Sequence, residues 1–101
     1  MKIKIGRNVA KPGADIEFVR AIRDAVGNDI TLMVDANCAY EDDIATALKV
    51  GRALEKLDII WFEEPISPDN LDGYQHLADA LDIRIAAGEA DFSSYGMRDL
   101  L

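Results

Sequence analysis

Apolar residues fall into two alternating patterns along this chain. Short runs rich in β-branched residues occupy 3–5, 30–34, 59–62 and 83–87, each bounded by polar or glycine positions, and they predict four strands. Between them the apolar positions recur at helical spacing. Ile16, Val19, Ile22 and Val26 form one stripe, with Glu17, Arg20, Arg23 and Asp24 on the intervening positions. Asp15 is placed to cap the start of this helix and Gly27 its end. A second helix is predicted over 41–57, with Ile44, Leu48, Leu54 and Leu57 inward and three acidic residues at its start, where the helix dipole favours them. A third is predicted over 71–81, with Leu71, Tyr74, Leu77 and Leu81 as its stripe, behind the turn-and-cap cluster Ser67-Pro68-Asp69-Asn70. A fourth, short helix is predicted over 95–101.

The resulting order is β-α-β-α-β-α-β-α, and strand starts repeat about every 24 to 29 residues, the length of one βα unit. The strand runs read as apolar on both faces, which predicts an α/β fold with a parallel sheet covered by helices. A length of 101 residues with 50% hydrophobic content fits one small domain with its own core over 1–101. A net charge of -8 repels phosphate backbones and anionic bilayers, so nucleic acid and membrane surfaces are excluded as partners. The single Cys38 has no intrachain partner, which places the chain in a reducing, cytoplasmic compartment. Trp61, Phe18, Phe62, Tyr40 and Tyr74 read as core aromatics, Tyr40 also lying in a loop within reach of a substrate. His76 reads as a surface or packing residue.

In parallel α/β architectures the binding groups gather at the C-terminal ends of the strands. Here the second strand ends in Val34-Asp35-Ala36-Asn37, the third in Phe62-Glu63-Glu64-Pro65, and the fourth in Gly88-Glu89-Ala90. Three carboxylates crowded at successive strand ends repel one another unless a cation neutralises them. With oxygen donors and no His or Cys cluster, Mg²⁺ is the fitting ion. Adjacent residues of an extended segment point oppositely, so Glu63 is expected to bind metal and Glu64 to stand behind it. Lys2 and Lys4 share one side of the first strand, and a neighbouring ammonium and a bound metal would both favour a neutral, basic Lys4.

These residues resemble the mandelate racemase and muconate lactonizing branch of the enolase superfamily. Lys2-Ile3-Lys4 is similar to its K-x-K motif, and Val34-Asp35-Ala36-Asn37, Glu63-Glu64-Pro65 and Gly88-Glu89 are similar to its three metal-ligand strands. The resemblance implies four consecutive βα units of a TIM-like barrel, a half-barrel without the later strands and the capping domain. It implies that Asp35, Glu63 and Glu89 bind Mg²⁺, that Lys4 is the acid/base lysine and Lys2 its electrostatic partner, and that Asn37 lines the pocket. The implied reaction is removal of a proton beside the carboxylate of a small acid, as in an acid-sugar dehydratase or a racemase. The alternative is a barrel half that folds, self-associates and binds metal without turnover. A phosphate-accepting receiver module fits less well, because the lysines precede the acids. Two open sheet edges lead to an expectation of self-association.

Overall fold

The computed structural model describes residues 1–6 and 11–86. Within them the elements alternate as β1 (Lys2–Lys4), α1 (Pro12–Val26), β2 (Met33–Asp35), α2 (Ile44–Lys56), β3 (Trp61–Glu63), α3 (Leu71–Ala80) and β4 (Arg84–Ala86). The strands form one parallel sheet in the order β1-β2-β3-β4, as the βα repeat predicts. In register across it lie Ile3, Val34, Phe62 and Ile85, all buried, and packed on them are Val19 from α1, Leu54 from α2 and Tyr74 and Leu77 from α3. The helix-covered face is therefore the core.

The other face differs from the expectation of strands apolar on both sides. Side chains alternate along a strand, so the residues flanking the buried row turn away from the helices. These are Lys2 and Lys4, Met33 and Asp35, Trp61 and Glu63, and Arg84 and Ala86. Lys2, Lys4 and Arg84 are exposed. β2 and β3 also begin later than their apolar runs: Ile30 and Ile60 precede the paired segments and stand 40% and 51% exposed.

Helix ends follow local chemistry, with two corrections. Gly27 ends α1 as predicted, with φ +82 and its N–H donated to the Arg23 carbonyl. Asp15 is not the cap of α1: the helix begins with Pro12 in its first turn, after Lys11. A proline there forfeits an N–H that would lack a partner anyway, which explains the early start. The acidic residues 41–43 precede α2, whose cap is Asp43, accepting from Thr46 N at 3.1 Å and Thr46 Oγ1 at 2.7 Å. Asn70 caps α3 by accepting from Gly73 N at 2.9 Å. Leu71 and Phe18, assigned to the interior by pattern, are 58% and 50% exposed. Leu71 is the first residue of its helix, before the stripe turns inward. The predicted helix over 95–101 lies outside the described residues. Among the described residues no helix is long and apolar enough to cross a membrane.

The Thr46 bonds hold the Asp43 carboxylate below its ordinary pKa of 3.8. Because the folded value is the lower one, the cap stabilises the fold above pH 3.8 and stops doing so as pH falls through the depressed value. Asp43→Ala should thus lower the melting temperature at pH 7, and the gap to wild type should narrow in melts repeated toward pH 3.

Arg23, assigned to the polar side of α1, is buried. Its Nε donates to Leu57 O (2.9 Å), Nη1 to Gly27 O (3.1 Å) and Ile30 O (2.7 Å), and Nη2 to Asp58 O (3.0 Å). One guanidinium thus ties the end of α1 and the start of the second strand run to the turn after α2. This junction lies at the N-terminal ends of the strands, opposite the site.

Candidate metal centre

The parallel register aligns Lys4 with Asp35 and Asp35 with Glu63, so these three residues form a lateral row at the C-terminal ends of β1, β2 and β3. Neighbouring strands lie only about 4.8 Å apart, which forces the two carboxylates together. Lys2, two residues before Lys4 on the same face, extends its ammonium between them. Its Nζ lies 3.1 Å from Glu63 Oε2 and 3.4 Å from Asp35 Oδ2. The hydrogen bond that Lys2 donates to Glu63 is the main cause raising the Lys2 pKa, with the negative charges of Glu63 and Asp35 adding to it against some desolvation. Lys2 stays protonated in this arrangement.

The second oxygen of each acid is held by the protein. Asp35 Oδ1 accepts from Asn37 N at 2.9 Å, and Glu63 Oε1 accepts from the Trp61 indole Nε1 at 3.1 Å. Each carboxylate therefore has one oxygen occupied by a neutral N–H and the other aimed at a shared cation position. Two hard oxygens converging on one positive charge form a donor set that suits Mg²⁺, and the ammonium marks where positive charge is favourable.

The loops that follow the strands are fastened to one another. Ala36 N donates to Glu63 O at 2.9 Å, Cys38 N to Glu64 O at 2.6 Å, Tyr40 N to Pro65 O at 3.2 Å, and Ser67 N to Glu41 O at 2.9 Å. Asn37, Cys38 and Glu64 all take positive φ, of 53°, 63° and 49°, bending the chain sharply as it leaves β2 and β3. Glu64 is buried and its Oε2 lies 3.7 Å from Cys38 Sγ, while Glu63 remains in the open row, so the two adjacent acids part as strand geometry requires. Burial, reinforced by Glu64, pushes the Cys38 thiol up to about 11, which keeps it protonated and poorly nucleophilic at neutral pH.

Asn37 is exposed at the rim, with its backbone rather than its side chain engaging Asp35. Lys4 is exposed on the face that carries Lys2. Glu89, the third acid of the sequence pattern, lies outside the described residues. Among the described residues no three His, Cys, Asp or Glu side chains are grouped to hold a metal. His76 is exposed on α3.

Two features of the site were not visible in the pattern. Tyr40 does not line the opening: it is buried, and its hydroxyl donates to Asp15 Oδ2 at 2.7 Å. Burial, with Asp15 beside it, raises the phenol well above its ordinary pKa. Asp15 Oδ1 in turn accepts from Gly6 N at 3.1 Å, so this buried acid braces the turn after β1 against the loop after β2. The second feature is Trp61, which reads as a core aromatic but is only half-buried and faces the site. Its spacing of two from Glu63 in a strand was the available signal.

A model of enolase C-terminal domain-like proteins matches residues 1–101. This chain belongs to that family. The enolase-like chain is 41% identical over 90 residues to L-talarate/galactarate dehydratase of Salmonella typhimurium, covering 88% of this chain and 21% of the relative. It is also 41% identical over 101 residues to arabinonate dehydratase of Saccharolobus solfataricus, covering 100% of this chain and 26% of the relative. Among solved structures, L-talarate dehydratase from Polaromonas sp. JS666, complexed with Mg and L-glucarate, superposes with a TM-score of 0.85 at 34% identity, over 99% of this chain and 27% of that one. The enolase-like chain thus spans about a quarter of the length of the relatives it matches, and its four parallel strands with alternating helices correspond to part of the enolase-type barrel.

Proposed function

We propose that this enolase-like chain supplies the Mg²⁺ site and the basic lysine of an enzyme that removes a proton beside a carboxylate, in the manner of an acid-sugar dehydratase or a racemase. The observation that carries the reading is the Lys2 ammonium shared by Asp35 Oδ2 and Glu63 Oε2, beside Lys4 in the same row. Asp35 and Glu63 would hold the metal through these two oxygens, with Glu89 as the third ligand. Bound there, Mg²⁺ supplies positive charge against the negative charge that develops on a substrate carboxylate.

The chain's own groups do the rest. Lys4, exposed at the strand end, takes the α-proton on its Nζ. Lys2 keeps positive charge beside the acids, on the face of the strand that carries Lys4. Asn37 stands at the rim toward the substrate, and buried Glu64 supports the bend that presents Glu63. The substrate class is a small hydroxy acid or acid sugar, which fits a row combining carboxylates and ammonium groups.

Mg²⁺ titration of the chain, followed by calorimetry, tests the site. Glu63→Gln and Glu89→Gln should each weaken binding by about a hundredfold, since each removes a charged ligand. Unchanged affinity in both variants refutes the reading.

A second reading starts from the open ends of the sheet: a barrel half that folds, self-associates and binds the metal without turnover. The outer edges of β1 and β4 are covered by no described strand, and on this reading copies of the chain associate through them. Light scattering at micromolar concentration should then show a species larger than a monomer, and a monodisperse monomer would dismiss the association.

A further inference from the structure

We propose that Trp61 is a positioning residue of the metal centre, whose indole fixes Glu63 so that a single oxygen faces the cation and so favours Mg²⁺ over Ca²⁺. The proposal rests on the reading of Glu63 as a metal ligand.

The geometry begins with the strand. Trp61 and Glu63 are two residues apart in β3, on the face turned away from the helices, and both are half-buried. The indole Nε1 donates to Glu63 Oε1 at 3.1 Å, while Glu63 Oε2 points to the Lys2 ammonium at 3.1 Å. An indole nitrogen can only donate, so this contact leaves no ambiguity about which partner accepts. It is also neutral. It occupies one oxygen without cancelling the charge of the carboxylate, whereas Lys2 occupies the very position the metal would take.

A glutamate has three rotatable bonds, and in a half-open site its carboxylate would otherwise sample several directions. Tethering Oε1 confines it to those that present Oε2 toward Asp35. The same tether opposes bidentate binding, because Oε1 must break its bond to the indole before it can reach the metal. Mg²⁺ works with one oxygen per carboxylate in a near-octahedral shell, while Ca²⁺ readily takes both. Loss of the indole N–H should therefore cost Mg²⁺ more than Ca²⁺. Hydrogen bonds that orient metal ligands commonly change metal affinity by about 10- to 100-fold.

Trp61 is the sole tryptophan of the chain, so its indole gives one N–H signal in a ¹H–¹⁵N spectrum. The test titrates wild type, Trp61→Phe and Glu63→Gln with Mg²⁺ and with Ca²⁺, following heat and, where the indole is present, its resonance. The expected result is an indole signal that moves in step with Mg²⁺ saturation in wild type and stays still in Glu63→Gln. Trp61→Phe should bind Mg²⁺ about tenfold more weakly, with a smaller loss for Ca²⁺. Should that variant fail to fold by circular dichroism, the wild-type indole signal still decides. Mg²⁺ binding that Glu63→Gln abolishes but that leaves the indole signal unmoved overturns the role of Trp61 and spares the site. Glu63→Gln binding Mg²⁺ like wild type overturns both.

Discussion

Arg23→Ala should destabilise this chain by about 2 to 4 kcal/mol, since each of its bonds to a carbonyl is charge-assisted and its removal leaves four partly buried acceptors without this donor. A domain of this size has only about 5 to 15 kcal/mol of stability to lose. Chemical denaturation followed by circular dichroism should show the variant's midpoint shifted far toward lower urea, and a shift below about 1 kcal/mol would show that water replaces the guanidinium. Arg23→Lys should recover little. A lysine ammonium cannot span carbonyls contributed by Gly27, Ile30, Leu57 and Asp58, which a planar fork reaches together.

Gly6→Ala should be the most damaging small substitution near the site. Gly6 has a φ of +91°, which costs a residue with a Cβ, and the added methyl would collide with Ala39 Cβ and lie 2.9 Å from Ala36 O. Both neighbours belong to the loop leaving β2, so that loop must shift or the turn after β1 must open. The expected loss is about 3 kcal/mol or more, combining strained backbone with a clash against main-chain atoms. Because the displaced loop carries Asn37 N, which holds Asp35 Oδ1, Mg²⁺ affinity should fall as well. A variant with wild-type melting behaviour would show that the turn has room to relax.

The alternation of strand and helix was readable because each element is long enough to show its own period, and the parallel register then follows from the connections. What pattern misplaced were residues whose surroundings are assembled from distant segments. Arg23 occupies a polar position of its helix, and nothing local announces that four carbonyls from two later turns will converge on it. Asp15 has the chemistry of a helix cap and stands near a helix start. Its actual partners, Gly6 N and the Tyr40 hydroxyl, become neighbours only when β1 and β2 pair.

The candidate site was legible for a different reason. Asp35 and Glu63 follow apolar runs directly, so their places at strand ends, and therefore beside one another, are implied by strand order alone. The position of Lys2 was not. From sequence the two lysines of the first strand are equivalent by spacing, and only the side chain's reach toward the next row shows that Lys2 is the one lying between the acids. Trp61 was hidden by its bulk: a large aromatic in an apolar run reads as interior, although the alternation places it opposite buried Phe62.

The Lys2 bridge also bears on the order in which the molecule is made. Asp35 and Glu63 together carry two negative charges, and Lys2 returns one positive charge to the space between them. The polypeptide thus brings a counter-ion of its own to the most crowded point of the sheet. Assembly of β1, β2 and β3 need not wait for a divalent ion, and on the proposed reading a metal would enter a finished cleft by exchanging places with a tethered amine.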